Sequence, residues 1–116
     1  MDPRLEKALE FSNLRITQSI EQRRLKEKLK SDLTLAHNGG VFVIDRTLLT
    51  FLQSLQDRIG NHTAVILDDR MTPIEIKDVV EFSNTVWELY FTKSEQYLWD
   101  INELKKRRRV RDIVDI

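Results

Sequence analysis

Residues 3–40 read PRLEKALEFSNLRITQSIEQRRLKEKLKSDLTLAHNGG, and this stretch sets the architecture of the chain. Pro3 suits the first turn of a helix, and Asn38-Gly39-Gly40 suits its end. No glycine or proline interrupts the residues between them, most of which are good helix formers. The stretch therefore predicts one long helix over residues 3–37, roughly 50 Å in length at about 1.5 Å per residue.

The apolar residues of this predicted helix lie on two sides. At about 100° per residue, one side holds Leu5, Leu9, Ile16 and Ile20. Roughly the opposite side holds Phe11, Leu14, Leu25, Leu29, Leu33 and Ala36. A helix with two apolar sides needs two neighbours, or it changes its neighbour along its length. The alternative is a break into two helices near Gln18, but the helix propensities favour a continuous helix.

The middle of the chain predicts a small β-α-β-β lobe over residues 40–76. Residues 41–44, 63–67 and 72–76 are short runs rich in β-branched and apolar side chains, which is typical of strands. Asp45 can cap the helix that follows the first run, because Leu48, Leu52, Leu55 and Ile59 recur at helical spacing. Gly60-Asn61 ends that helix, and residues 68–71 make the turn between the last two strands.

A second long helix is predicted over residues 77–109, followed by a short tail over residues 110–116. Acidic residues lie in its first turns and basic residues in its last, as the helix dipole favours. The simplest architecture is a single α+β domain over residues 1–116. Its two long helices form an antiparallel hairpin, with the lobe at the end where they are joined.

Composition narrows the class of protein. The chain has 116 residues, no cysteine and a formal net charge of zero, so disulfides and thiolate metal sites are excluded. It contains no apolar run long enough for a membrane span, and residues 1–6 lack the apolar stretch of an export signal. We expect a soluble, cytoplasmic protein without a cofactor.

The sequence contains no recognisable catalytic or metal-binding motif. Asp45 is explained as a helix cap, and Asp68-Asp69 as turn residues. His37 and His62 are isolated, with no serine or cysteine nucleophile near them in a known pattern. We therefore predict a protein that is not an enzyme, with no catalytic residue and no metal ligand.

A basic run near the end of the chain points to a partner. The six cations are Lys105, Lys106, Arg107, Arg108, Arg109 and Arg111. With Asp112 and Asp115 they give the last twelve residues a net charge of +4, which leaves −4 for the rest. The run predicts contacts to nucleic-acid phosphates or to an acidic protein, although a solvated helix end also explains it. A second basic patch at residues 23–30 would lie apart from it in an antiparallel hairpin.

Three apolar residues of the second long helix lie off its main stripe and predict an interface. They are Phe82, Leu89 and Trp99. A monomer of this size would expose some of them together with the second apolar side of the first helix, and such patches usually mark interfaces. The alternative is that the lobe covers them. We expect self-association, with a symmetric homodimer as the default.

Residues 2–13, Asp-Pro-Arg-Leu-Glu-Lys-Ala-Leu-Glu-Phe-Ser-Asn, resemble the start of small uncharacterised proteins from T4-like bacteriophages of marine cyanobacteria. Residues 39–42, Gly-Gly-Val-Phe, and residues 73–77, Pro-Ile-Glu-Ile-Lys, share this resemblance. The resemblance implies a phage-encoded accessory protein that acts in a bacterial host cytoplasm or within a virion. It carries over no functional residue.

The sequence thus predicts a non-enzymatic module for protein–protein interaction or assembly, which works through apolar helix faces and a basic C-terminal end. The alternative is an accessory factor that binds nucleic acid through the basic helix end.

Overall fold

The computed structural model describes the backbone of residues 2–114 and the side chains of residues 2–107. These residues form three helices and four strands in the order α1, β1, β2, α2, β3, β4, α3. The strands make two separate two-stranded antiparallel sheets. The chain is thus a mixture of helix and strand with long helices, as the sequence predicts.

The chain divides into two compact units. The helical unit comprises Met1–Lys28 and Gln96–Ile116, and the core unit comprises Leu29–Glu95. Helices α1 and α3 contribute residues to both units. The single domain and the antiparallel hairpin stay predictions.

Helix α1 spans Pro3–Asp32 without a break near Gln18. Asp2 begins it, because its Oδ1 accepts a hydrogen bond from the Arg4 N–H at 3.0 Å and so satisfies a free backbone donor of the first turn. The predicted end of this helix at residue 37 is wrong, since the chain leaves the helix after Asp32.

Residues 33–43 form a β-hairpin instead of the end of a helix. Strand β1 (Thr34–His37) pairs with strand β2 (Gly40–Val43), so that His37 faces Gly40. The two-residue turn has φ of 50° at Asn38 and 84° at Gly39. Positive φ at both positions is the conformation of a type I′ hairpin turn, for which Asn-Gly is the preferred pair. The lobe therefore has one strand more than the predicted β-α-β-β order.

The other elements of the core unit lie close to their predicted positions. Helix α2 spans Arg46–Ile59, and its N-cap Asp45 accepts a hydrogen bond from the Leu48 N–H at 2.8 Å. Strands β3 (Ala64–Leu67) and β4 (Pro73–Ile76) pair antiparallel across residues 68–72. Helix α3 spans Val79–Val114, so it begins two residues later than predicted and extends into the predicted tail.

The hydrophobic core lies in the core unit and draws on β2, α2, β3, β4 and α3. Its buried residues are Phe42, Ile44, Leu49, Leu52, Ile66, Ile74, Ile76, Val79, Phe82 and Val86. The strands contribute every second residue, and α2 contributes Leu49 and Leu52 from one face. This pattern shows that both sheets pack one face inward.

The two hairpins are joined at Val41 and Asp68. The Val41 N–H donates to Asp68 Oδ2 at 2.9 Å, and the Asp69 N–H donates to the Val41 carbonyl at 2.9 Å. Gly40 makes this approach possible, because a Cβ there would lie 2.5 Å from Cγ1 of Ile74. The joint fixes β2 against the turn between β3 and β4.

Candidate interaction surface

One face of α1 is half-buried within the helical unit. It is formed by Leu14, Gln18, Glu21 and Leu25. Their spacings of four, three and four residues return to the same side of a helix, so these residues form a single strip. Two hollows that α3 also lines show that this strip is the side of α1 nearest to α3.

The opposite face of α1 is an apolar surface open to solvent, which we call the α1 stripe. It is formed by Leu5, Leu9, Ile16 and Ile20, which are 42–56% exposed. No residue of α1 is buried. Exposed apolar patches of this kind usually mark interfaces.

Two features of α3 lie against α1 in the helical unit. Lys28 Nζ lies 3.8 Å from Asp100 Oδ2. Leu104 is 8% exposed and lines a hollow together with Arg15 and Gln18 of α1. An ion pair whose lysine is exposed, as Lys28 is, contributes about 0–1 kcal/mol.

A hollow of about 380 Å³, which we call the Trp99 hollow, opens between α1 and α3. It is lined by Glu21, Arg24, Leu25, Trp99, Asp100, Glu103 and Arg107. Trp99 is 60% exposed, so its ring is available to a partner. The described lining combines two arginines and three carboxylates with the apolar side chains of Leu25 and Trp99. This combination suits an apolar side chain carried on a segment of mixed charge.

A hollow of about 300 Å³, which we call the Arg15 hollow, also lies between α1 and α3. It is lined by Arg15, Gln18, Ser19, Gln22, Ile101, Leu104 and Lys105. Among the described side chains, its charged residues are Arg15 and Lys105, both cationic, and its other polar groups are amides and a hydroxyl. This composition suits an anionic or carbonyl-rich group.

One cation of each basic stretch lines the Trp99 hollow. Arg24 belongs to the patch at residues 23–30, and Arg107 belongs to the C-terminal run. Arg15, which lies outside that patch, lines the Arg15 hollow with Lys105. The expectation that the two stretches lie apart is therefore wrong for Arg24 and Arg107, and it stays a prediction for their other residues.

The predicted basic contacts are only partly described. Lys105, Lys106 and Arg107 are exposed, and Lys106 Nζ forms an ion pair with Glu103 at 3.3 Å. The side chains of Arg108, Arg109 and Arg111 lie outside the described residues.

The three predicted apolar interface residues have different surroundings. Phe82 is 3% exposed and packs its ring 5.1 Å from that of Phe42, so its prediction as a contact surface is wrong. The strands cover it, which the sequence treated as the alternative. Leu89 packs against the core and is partly buried. Trp99 alone is largely exposed.

The core unit has a polar hollow of about 400 Å³ whose side chains serve the fold. It is lined by His37, Asn38, Glu75, Ile76, Lys77, Asp78, Glu81, Phe82 and Thr85. The Asn38 side chain donates to the Glu75 carbonyl at 3.0 Å, and Asp78 Oδ1 accepts from the Glu81 N–H at 3.0 Å as the cap of α3. The ring centroid of His37 lies 4.9 Å from the ring centroid of Phe82. These contacts give Asn38, Asp78 and His37 roles in the fold.

Asp68 is the most strongly held carboxylate of the core unit. It accepts hydrogen bonds from the N–H groups of Val41, Arg70 and Thr72 at 2.8–2.9 Å. The Val41 N–H, followed by that of Thr72, lowers the pKa of Asp68 below its ordinary 3.8, because these donors favour the ionised form. The sequence identified Asp68 as a turn residue but gave no signal of its bond to β2.

The described side chains contain no group of three or more His, Cys, Asp or Glu residues placed to hold a metal ion. Within the described part of the chain, none of the helices combines the length and apolar character that a membrane crossing requires. The chain matches no family model, no curated protein and no solved structure at a significant level. The α1 stripe, and the two hollows between α1 and α3 on the other side of α1, are therefore the basis for a functional proposal.

Proposed function

We propose that this protein is a non-enzymatic interaction or assembly module that self-associates through its helical unit, with a homodimer as the simplest product. The observation that carries the proposal is the exposure of α1, which buries none of its residues although its stripe presents four large apolar side chains. Within proteins, helices owe most of their stability to the packing of an apolar face against a neighbour. The α1 stripe has such a face and lacks a neighbour among the described residues.

The size of the effect suits reversible association. Burying a large apolar side chain completely stabilises by about 1.5–3 kcal/mol, and the stripe residues have about half of their surface left to bury. The four residues then contribute roughly 3–6 kcal/mol per protomer. Association costs about 4–15 kcal/mol, so we expect a dissociation constant in the micromolar range or weaker.

We further propose that α1 and α3 form an antiparallel hairpin within one chain. Two observations support this arrangement. Lys28 pairs with Asp100, whereas Arg15 shares a hollow with Lys105, so positions earlier on α1 lie beside positions later on α3. An antiparallel hairpin leaves the α1 stripe facing away from α3 and free for a second chain.

The resemblance of residues 2–13, 39–42 and 73–77 to small proteins of T4-like cyanobacterial phages supports a biological setting for this module. In that setting the protein is a phage-encoded accessory factor of the host cytoplasm or the virion. Its basic C-terminal run recruits an acidic protein partner, while the α1 stripe holds copies of the chain together.

Light scattering coupled to size exclusion tests self-association. We expect the mass of wild type to rise from 13.8 kDa toward twice that value as its concentration is raised through and above about 100 μM, and Ile16→Glu to remain a monomer. Thr17→Glu is the matched control, because Thr17 is an exposed polar neighbour outside the stripe. A wild type that stays monomeric throughout, or an Ile16→Glu variant with unchanged mass, would refute the proposal.

A second candidate function is nucleic-acid binding, and the presence of two cations in each hollow favours it. Arg15 and Lys105 in one hollow, and Arg24 and Arg107 in the other, place cations on both flanks of the helix pair. Such cations bind phosphates through counterion release, so affinity falls steeply with salt. An exposed aromatic ring such as Trp99 is a stacking platform for a base.

The test of this candidate measures DNA and RNA binding at several salt concentrations. It compares the full chain, a truncation after Leu104, and Arg24→Gln. Binding that weakens with salt and disappears in the truncation supports the candidate. Absence of binding by the full chain at about 50 mM salt removes it.

A further inference from the structure

The spacing of the α1 stripe is the same in both directions along the helix. From Leu5 the steps to Leu9, Ile16 and Ile20 are four, seven and four residues. The centre of this pattern falls between Ser12 and Asn13. A surface that reads identically from either end can meet a copy of itself across a two-fold axis, which is the requirement for an isologous interface.

The symmetry extends to charged residues at the ends of the stripe. Asp2 lies three residues before Leu5, and Arg23 lies three residues after Ile20. Both residues are exposed and have opposite charge. When a second copy of the helix is placed antiparallel about this centre, the acidic position of one copy therefore falls beside the basic position of the other.

From these features we infer that the partner of the α1 stripe is the α1 stripe of a second copy, running antiparallel. This inference rests on the proposed self-association and specifies its geometry. Leu5 packs on the partner's Ile20, and Leu9 packs on the partner's Ile16. Asp2 lies beside the partner's Arg23 at each end. Ser12 sits next to the two-fold axis, where a small side chain permits close approach of the helices.

The charge distribution along α1 selects the antiparallel direction. Residues 2–14 carry Asp2, Glu6 and Glu10 against Arg4 and Lys7, a net charge of −1. Residues 15–30 carry six Lys or Arg residues and two Glu residues, a net charge of +4. In the antiparallel pair, residues 2–12 of one copy, with a net charge of −1, lie beside residues 13–23 of the other, with a net charge of +1, and residues 24–30 lie outside this overlap. A parallel pair sets the two +4 segments together. Like charges across a helix interface oppose pairing, and opposed helix dipoles favour the antiparallel direction.

Cysteine cross-linking tests the geometry, because the chain has no cysteine of its own. Ser12→Cys and Ser19→Cys are matched variants, since both serines are exposed and flank the stripe on the same side. In the antiparallel pair the two copies of residue 12 are offset by one residue, about 1.5 Å along the axis. The two copies of residue 19 are offset by thirteen residues, about 20 Å, which exceeds the 4.4–6.8 Å between Cα atoms that a disulfide spans.

We expect Ser12→Cys to form a disulfide-linked dimer under mild oxidation at least about tenfold faster than Ser19→Cys. Equal, fast cross-linking of both variants would establish a parallel pair and overturn the inference. Failure of both variants to cross-link while the wild type is dimeric by light scattering would place another surface at the interface and also overturn it. In these two cases self-association itself stands. A monomeric wild type would overturn the inference together with the proposed function.

Discussion

Replacement of Gly40 by alanine tests how closely the two hairpins of the core unit approach. An added Cβ would lie 2.5 Å from Cγ1 and 2.8 Å from Cδ1 of Ile74, whereas ordinary contacts are 3.4–4 Å. Ile74 is 5% exposed, so its side chain cannot swing into solvent to make room. The substitution must push the strands apart or force Ile74 out of its preferred rotamer.

Overpacking of this kind costs about 1–3 kcal/mol. For a domain of this size, such a loss lowers the midpoint of thermal unfolding by roughly 4–20 °C. Urea unfolding followed by far-ultraviolet circular dichroism gives the change in the free energy of unfolding. We expect Gly40→Ala to fall within this range without a change in the slope of the transition.

A double-mutant cycle with Ile74→Ala separates the steric effect from other causes. Ile74→Ala alone should cost about 2–5 kcal/mol, because it leaves a cavity. In that background the methyl group at position 40 has space, so the cost of Gly40→Ala should fall by at least about half. Gly60→Ala is the control. Gly60 has a φ of +61° and a ψ of −131°, a region that is essentially restricted to glycine, and no atom lies within 4 Å of an added Cβ. The cost of Gly60→Ala, about 1–3 kcal/mol, is therefore strain alone and should be equal in both backgrounds. An undiminished cost of Gly40→Ala beside Ile74→Ala would refute the steric argument.

Three further substitutions test the polar groups of the core unit. Because the pKa of Asp68 is lowered in the folded state, the stabilising effect of its carboxylate is present at neutral pH and is lost as the pH falls below 3.8 through the folded pKa. The urea midpoint of wild type should therefore decrease over this pH range more than that of Asp68→Asn. Parallel curves of urea midpoint against pH for the two proteins would contradict this. Asp45→Ala removes the acceptor for the Leu48 N–H, so it should cost about 1 kcal/mol in urea unfolding, while Asp45→Asn should cost clearly less. The buried Ser83 hydroxyl has no hydrogen-bond partner among the described residues. Ser83→Ala should therefore leave the free energy of unfolding unchanged or raise it by up to about 1 kcal/mol. A decrease in the free energy of unfolding of more than about 1 kcal/mol would show that the hydroxyl is hydrogen-bonded.

The sequence predicted the elements of the core unit well where the local residue pattern was compatible with only one type of structure. Asp45 before an apolar helical pattern identified the start of α2, and Gly60 identified its end. Alternation of apolar and polar residues over 72–76 identified β4, and in the structure Ile74 and Ile76 are buried while Pro73 and Glu75 are exposed. The prediction failed at Asn38-Gly39, because a glycine after a helix and a glycine in a type I′ turn look alike without knowledge of pairing. The pairing of Thr34–His37 with Gly40–Val43 decides between them.

Phe82 shows why helical periodicity alone misjudges an interface. It lies off the main apolar stripe of α3, and the sequence therefore predicted it to be exposed. In the structure β2 reaches it, and Phe42 packs against its ring, so α3 is buried over a wider arc in the core unit than its stripe indicates. In α1, Ile16 on one predicted apolar side is exposed, and on the other side Leu25 is half-buried whereas Phe11 is 52% exposed. That both sides of α1 need a neighbour stays a prediction.

The joint at Val41 has a consequence for the way in which the core unit opens. Its N–H donates to Asp68 and its carbonyl accepts from the Asp69 N–H. Neither hairpin can separate from the other without releasing these two bonds together. We therefore expect the amide hydrogens of Val41 and Asp69 to exchange with solvent at closely similar free energies of opening, as one cooperative unit that spans two strand pairs distant in sequence.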